Sequence, residues 1–163
     1  VEEGSERWEA VLEPFYHHGE CNFLNPDEPG PMFKRTGTQP EPTEPIVAIT
    51  SIGYQLGPAF DPNRVAAFSN SFNVVRSSMT AVEGLYSQQV FNFGGLQTDP
   101  ITVTTWADSH TMTSWAYKAG AHRHYLNRHR AENMFDRSSF TRCRILHERG
   151  SWYGKPSSQW HAS

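Results

Sequence analysis

Between residues 61 and 84 one pattern leaves few ways to fold: Val65, Phe68, Phe72, Val75, Met79 and Val82 recur at alternating steps of three and four. That spacing lays a single apolar stripe along a helix of six turns. Asp61 and Pro62 supply its N-cap and first helical residue, and Gly84 closes the far end. Burying six such side chains would stabilise by on the order of 10 kcal/mol, an upper estimate. The stripe is a structural part that needs no cofactor to explain it.

The flanking segments have the period of strands. Ile46–Tyr54 is β-branched and bounded by Pro45 and Gly57-Pro58. Leu85–Phe93 ends at Gly94-Gly95, and Pro100–Trp106 alternates cleanly. Asp108 or Ser109 then caps a second helix running to about Asn133, and a last strand, Phe140–His147, stops before Gly150. Strand, helix, strand, strand, helix, strand is the ferredoxin-like βαββαβ unit, an α+β fold. Its four-stranded sheet has helices on one face only. The other face calls for cover by a second copy of the chain, another subunit, or residues 1–45.

Those first 45 residues are of different material. They hold seven of the eleven prolines and a net charge of −7, whereas the remaining 118 residues carry +4. Proline lacks the N–H and fixes φ, so such a segment sustains neither helices nor central strands. One short stretch before most of these prolines, Trp8, Val11, Leu12 and Phe15, has helical spacing. The segment reads as a flexible arm, or equally, given its aromatic content, as an arm docked on its own domain or on a partner. The domain proper spans 46–155, with a tail over 156–163. A first residue Val1 is what cleavage after import into an organelle leaves, and equally what trimming leaves. No run of 18 apolar residues is present, so no spanning helix is expected; peripheral attachment stays open.

The second helix carries the chemistry. Met112, Trp115, Ala116, Ala119 and Leu126 define its inward face, and the same steps bring His122 and His129 to that side. Arg123, Asn127 and Arg130 lie at the margin. An inward imidazole beside Ala119, Gly120 and Ala121 can ligate haem iron or zinc, or move a proton near neutral pH. The alternative is a core histidine satisfied by a hydrogen-bond partner. Gly120 in mid-helix costs about 1 kcal/mol relative to alanine and points to a kink or a close approach. His17-His18-Gly19-Glu20-Cys21 gathers four metal-ligating side chains, but neighbours in sequence rarely converge on one ion. Residues 118–149 hold eight basic against three acidic residues, which suits a solvated face or a dock for the acidic arm better than nucleic acid. Cys143 alternates within the last strand and is expected buried and inert.

Around this helix the chain resembles the spheroidene monooxygenase family and its relatives among the dimeric α+β barrels. The resemblance rests on Thr104-Thr105-Trp106, Met112, Ala116-Tyr117, Gly120-Ala121-His122-Arg123, Arg130-Ala131-Glu132, Phe135, Phe140-Thr141-Arg142 and Gly150-Ser151-Trp152-Tyr153-Gly154. It implies a haem-dependent monooxygenase acting on an apolar, carotenoid- or terpenoid-like substrate. Carried over, it makes His122 the haem iron ligand. Arg123 and Arg142 become partners of the haem propionates or a bracket between helix and strand, and Trp106, Trp115 and Phe135 wall an apolar pocket. Asp136-Arg137-Ser138-Ser139 departs from the family pattern, and the acidic arm has no counterpart in it. These departures favour a second reading, a non-catalytic accessory subunit of a larger organellar or photosynthetic membrane complex.

Overall fold

A computed structural model describes residues 7–19, 38–58, 60–93, 99–118 and 120–151. Most of the proline-rich arm, Cys21, Gly94-Gly95, Ala119, Trp152-Tyr153-Gly154 and the tail lie outside the described residues. The elements run β1 (Trp8–Gly19), β2 (Ile46–Gly53), α1 (Pro62–Met79), β3 (Leu85–Phe93), β4 (Asp99–Trp106), α2 (Ser109–Tyr117), α3 (Ala121–Glu132) and β5 (Arg137–Gly150). All strand pairs are antiparallel, in the order β1-β5-β2-β4-β3. Strands β2 to β5 therefore have the expected ferredoxin-like arrangement.

The sheet has five strands rather than four, and the stretch with helical spacing is strand β1. It pairs along β5 from Trp8 opposite Gly150 to Gly19 opposite Ser139. Cross-strand chemistry overrides the local period. Glu9 stands opposite Arg149 and Glu13 opposite Arg144, and both form ion pairs. Arg144 also reaches Glu44, 3.1 Å away, just before β2. Part of the charge contrast between the two regions is thus resolved within the sheet. Pro14 is tolerated because β1 is an edge strand and its register shifts between Pro14 and Tyr16. The residue inserted there, Phe15, is fully buried.

Helix α1 starts as expected, with the Asp61 carboxylate accepting the Asn63 N–H at 2.9 Å. It ends one turn early: Thr80 is its C-cap and Val82 sits in a turn, donating to the Met79 carbonyl. The expected second helix is two helices broken at Lys118–Gly120. Gly120 has φ +151° and ψ −177°, a conformation essentially reserved for glycine, so it interrupts the helix rather than kinking it. Asp108 caps α2 by accepting the Thr111 N–H at 2.7 Å.

The core lies at one end of the helix-covered sheet face, where Phe15, Ile46, Ala48, Met79, Trp106, Met112 and Ala116 cluster. Elsewhere the layers part. α1 packs on α3 and stands off the sheet. Its stripe accordingly does not seal a core, because Val65, Phe68, Phe72 and Val75 are only half-buried. They face a cavity.

Candidate functional site

The space between sheet and helices is a cavity of about 510 Å³, a size that holds a small organic molecule. Its floor comes from alternate residues of the strands, including Ala48, Thr50 and Ile52 of β2 and Thr102, Thr104 and Trp106 of β4. α1 contributes the stripe from Val65 to Met79. α2 brings Met112, Trp115 and Ala116, and α3 brings His122, Tyr125, Leu126 and His129. The inward faces read from the sequence are therefore cavity walls.

At one end the rings of Trp106, Trp115 and His122 follow one another, with centroids 5.6 and 4.7 Å apart. Trp106 Nε1 donates to Thr104 Oγ1 at 2.8 Å, and Thr104 Oγ1 donates to the Ala48 carbonyl. His122 Nδ1 lies 2.7 Å from the Ala116 carbonyl across the helix break. A carbonyl only accepts, so Nδ1 carries the proton and Nε2 is left with a lone pair. Burial pushes the imidazole below its ordinary range, partly offset by the carbonyl, and keeps it neutral near pH 7. His122 thus has the backbone partner of a satisfied core histidine, and it also lines a cavity.

At the opposite end Phe68 stacks on Phe72 and meets His129 and Phe135, with ring centroids 5.2 and 5.9 Å away. Burial lowers the affinity of His129 for a proton as well. Tyr54, 2% exposed, closes this end beside Phe60 and Arg64. Burial raises its phenol to about 12, so it is a neutral donor. The sequence reading of this site lacked Tyr54, which there merely ended a strand, and Tyr125. Tyr125, three residues after His122 and four before His129, has the spacing of that inward face, whereas nothing in the spacing marks Tyr54.

Of the six residues singled out in the sequence, His122, Trp106, Trp115 and Phe135 line the cavity, and Arg123 and Arg142 do not. Arg123 is exposed on α3. Arg142 donates to Ser109 Oγ at 2.9 Å and lies 4.2 Å from the Tyr16 ring centroid, which makes it the bracket between β5 and α2. Haem fits this arrangement only at His122, whose Nε2 could bind iron. The arginines expected to hold its propionates are not turned to the cavity. Among the described residues no three His, Cys, Asp or Glu side chains gather as a metal site; His17 bonds Thr141 and the Gly19 carbonyl instead. Cys143 is buried, its thiol pushed up to about 12.

No protein-family model matches the chain, and no curated protein matches it in sequence. Solved structures match its fold. A protein from Mycobacterium tuberculosis has 11% identity and a TM-score of 0.52, covering 64% of this chain and 97% of its own. A conserved protein from Methanosarcina mazei has 12% identity and a TM-score of 0.52, over 63% of this chain and 94% of its own. A candidate monooxygenase from Fusobacterium nucleatum has 12% identity and a TM-score of 0.54, over 72% of this chain and 51% of its own. The fold is that of the dimeric α+β barrels. At these identities the likeness is one of fold, and no sequence match ties the chain to the spheroidene monooxygenase family in particular. Among the described residues no helix is long and apolar enough to cross a membrane.

Proposed function

We propose that the protein is a monooxygenase-type oxidoreductase that takes an apolar organic substrate into the cavity between sheet and helices. The observation that carries this reading is His122 on the cavity wall, its Nδ1–H held by the Ala116 carbonyl and its Nε2 free to accept a proton. A neutral imidazole in an apolar site is a general base for an acidic O–H or C–H of the substrate. The anion so formed is electron-rich and is itself the reductant of dioxygen. One oxygen atom becomes bonded to a substrate carbon that gives up two hydrogens, and the other leaves with them as water, as in 1-naphthol plus dioxygen giving 1,4-naphthoquinone plus water. The aromatic walls exclude water and bind the substrate body. The occurrence of this fold in a candidate monooxygenase supports the same reading.

Dioxygen uptake with 1-naphthol, and analysis of the product for oxygen-18 from labelled dioxygen, tests the proposal. The expected result is uptake above the buffer rate, with label in the product, lowered about 10²-fold or more in His122→Ala. Equal rates with and without protein would overturn it. A haemin titration in parallel decides the cofactor. A saturable Soret band at one haem per chain, altered by His122→Ala, would make the enzyme haem-dependent; without one the chemistry belongs to the side chains and the substrate.

A further inference from the structure

Two buried polar atoms at the Phe135 end of the cavity have no hydrogen-bond partner among the described residues: Tyr54 Oη and His129 Nε2. Both residues line the cavity. They belong to one end of it, because Tyr54 lies beside Arg64 and His129 beside Phe68, and Arg64 and Phe68 are one turn apart on α1. Buried polar groups are almost always paired, and each exception calls for an explanation. Packing does not supply it: an apolar ring in either place would keep the aromatic contacts without stranding a polar atom. A bound molecule supplies it.

We infer that Tyr54 Oη and His129 Nε2 form a polar anchor for an uncharged oxygen function, a hydroxyl or a carbonyl, on an otherwise apolar ligand. This rests on the reading of the cavity as the substrate site and names the class of substrate. The phenol donates to the ligand oxygen, and the neutral imidazole accepts from a hydroxyl or donates to a carbonyl. A charged group would be held poorly, since it would lose its hydration among Phe68, Phe72 and Phe135. Arg64, beside Tyr54, is already engaged by the Asn133 carbonyl at 2.6 Å and the Asp136 carboxylate at 3.0 Å, and Arg130, the one cation among the described lining residues, is exposed to solvent on α3. Length is set as well. His122 and His129 are seven residues apart on α3, about 10 Å along its axis, so a ligand held at the anchor must extend roughly that far to reach the base. The preferred substrate is elongated, apolar, and oxygenated at the end remote from His122.

The test compares two probes of similar shape, 2-naphthol and 2-methylnaphthalene, by equilibrium dialysis against the wild type, Tyr54→Phe and His129→Phe. The expected result is that 2-naphthol binds about tenfold more weakly to each variant while 2-methylnaphthalene is unchanged, which also shows the variants to be folded. If 2-naphthol binds Tyr54→Phe and His129→Phe as well as the wild type, or if both probes weaken equally, the anchor is wrong and the cavity stands. If 2-methylnaphthalene does not bind the wild type at all, the apolar cavity is wrong and the anchor falls with it.

Discussion

At the scale of single residues, burial disfavours the charged form of three histidines. His17, His122 and His129 are each pushed below the ordinary range, in every case chiefly by burial. Between that lowered range and the unfolded value near 6.5, the unfolded chain binds more protons than the folded one. Their contribution to stability is therefore complete above about pH 6.5 and is lost as the pH falls through the histidine range. Urea melts taken from about pH 7.5 down to about pH 5.5 should show a falling midpoint, and His122→Gln should flatten the fall. A midpoint that holds or rises over this window would contradict the burial of these rings. Cys143 provides a second check. With its thiol pushed to about 12 inside the sheet, a Cys21→Ser protein should resist a thiol-specific disulfide reagent until denaturant is added.

At the scale of elements, the break between α2 and α3 places the base. The bond from His122 to Ala116 spans it, tying the first turn of α3 to the last turn of α2. An alanine at position 120 would meet no atom within 4 Å, so its whole cost is the backbone conformation, about 1–3 kcal/mol. Gly120→Ala should lower the urea midpoint accordingly and weaken binding of 2-methylnaphthalene; an unchanged midpoint would mean the chain can cross this point as ordinary helix. The same segment shows what the sequence could and could not disclose. Met112, Trp115, Ala116, Leu126, His122 and His129 share a face whether the helix is continuous or broken, because the break nearly preserves the phase. The inward side was therefore legible and the interruption was not. The α1 stripe was legible as amphipathic, but periodicity reports which side is apolar and not whether that side meets a packed core or a cavity. β1 misled for a different reason. Its partner, β5, lies more than 100 residues away, and only there do Glu9 and Glu13 find Arg149 and Arg144.

At the scale of the molecule, the helices and cavity occupy one face of the sheet and leave the other to be covered. Register places Ile49 opposite Val103 and Ile101 opposite Phe91 on this outer face. Phe91, on the edge strand β3, is 47% exposed. Ile101 is already buried within one chain, whereas Ile49 and Val103 are half-buried; this half-buried pair and the exposed ring suit a twofold pairing in which each copy covers the other, and proteins of this fold typically pair. Light scattering on the eluting protein should then give twice the 18.5 kDa of one chain. Arginine at position 49 or 103 would bring two unpaired cations together across the axis, so Ile49→Arg and Val103→Arg should return the mass to a single chain. Because the cavity opens on the opposite face, both variants should still bind 2-methylnaphthalene. A wild-type mass of one chain would mean that the arm or a foreign subunit covers this face, and a dimer that survives both substitutions would move the contact to the β1 or β3 edge.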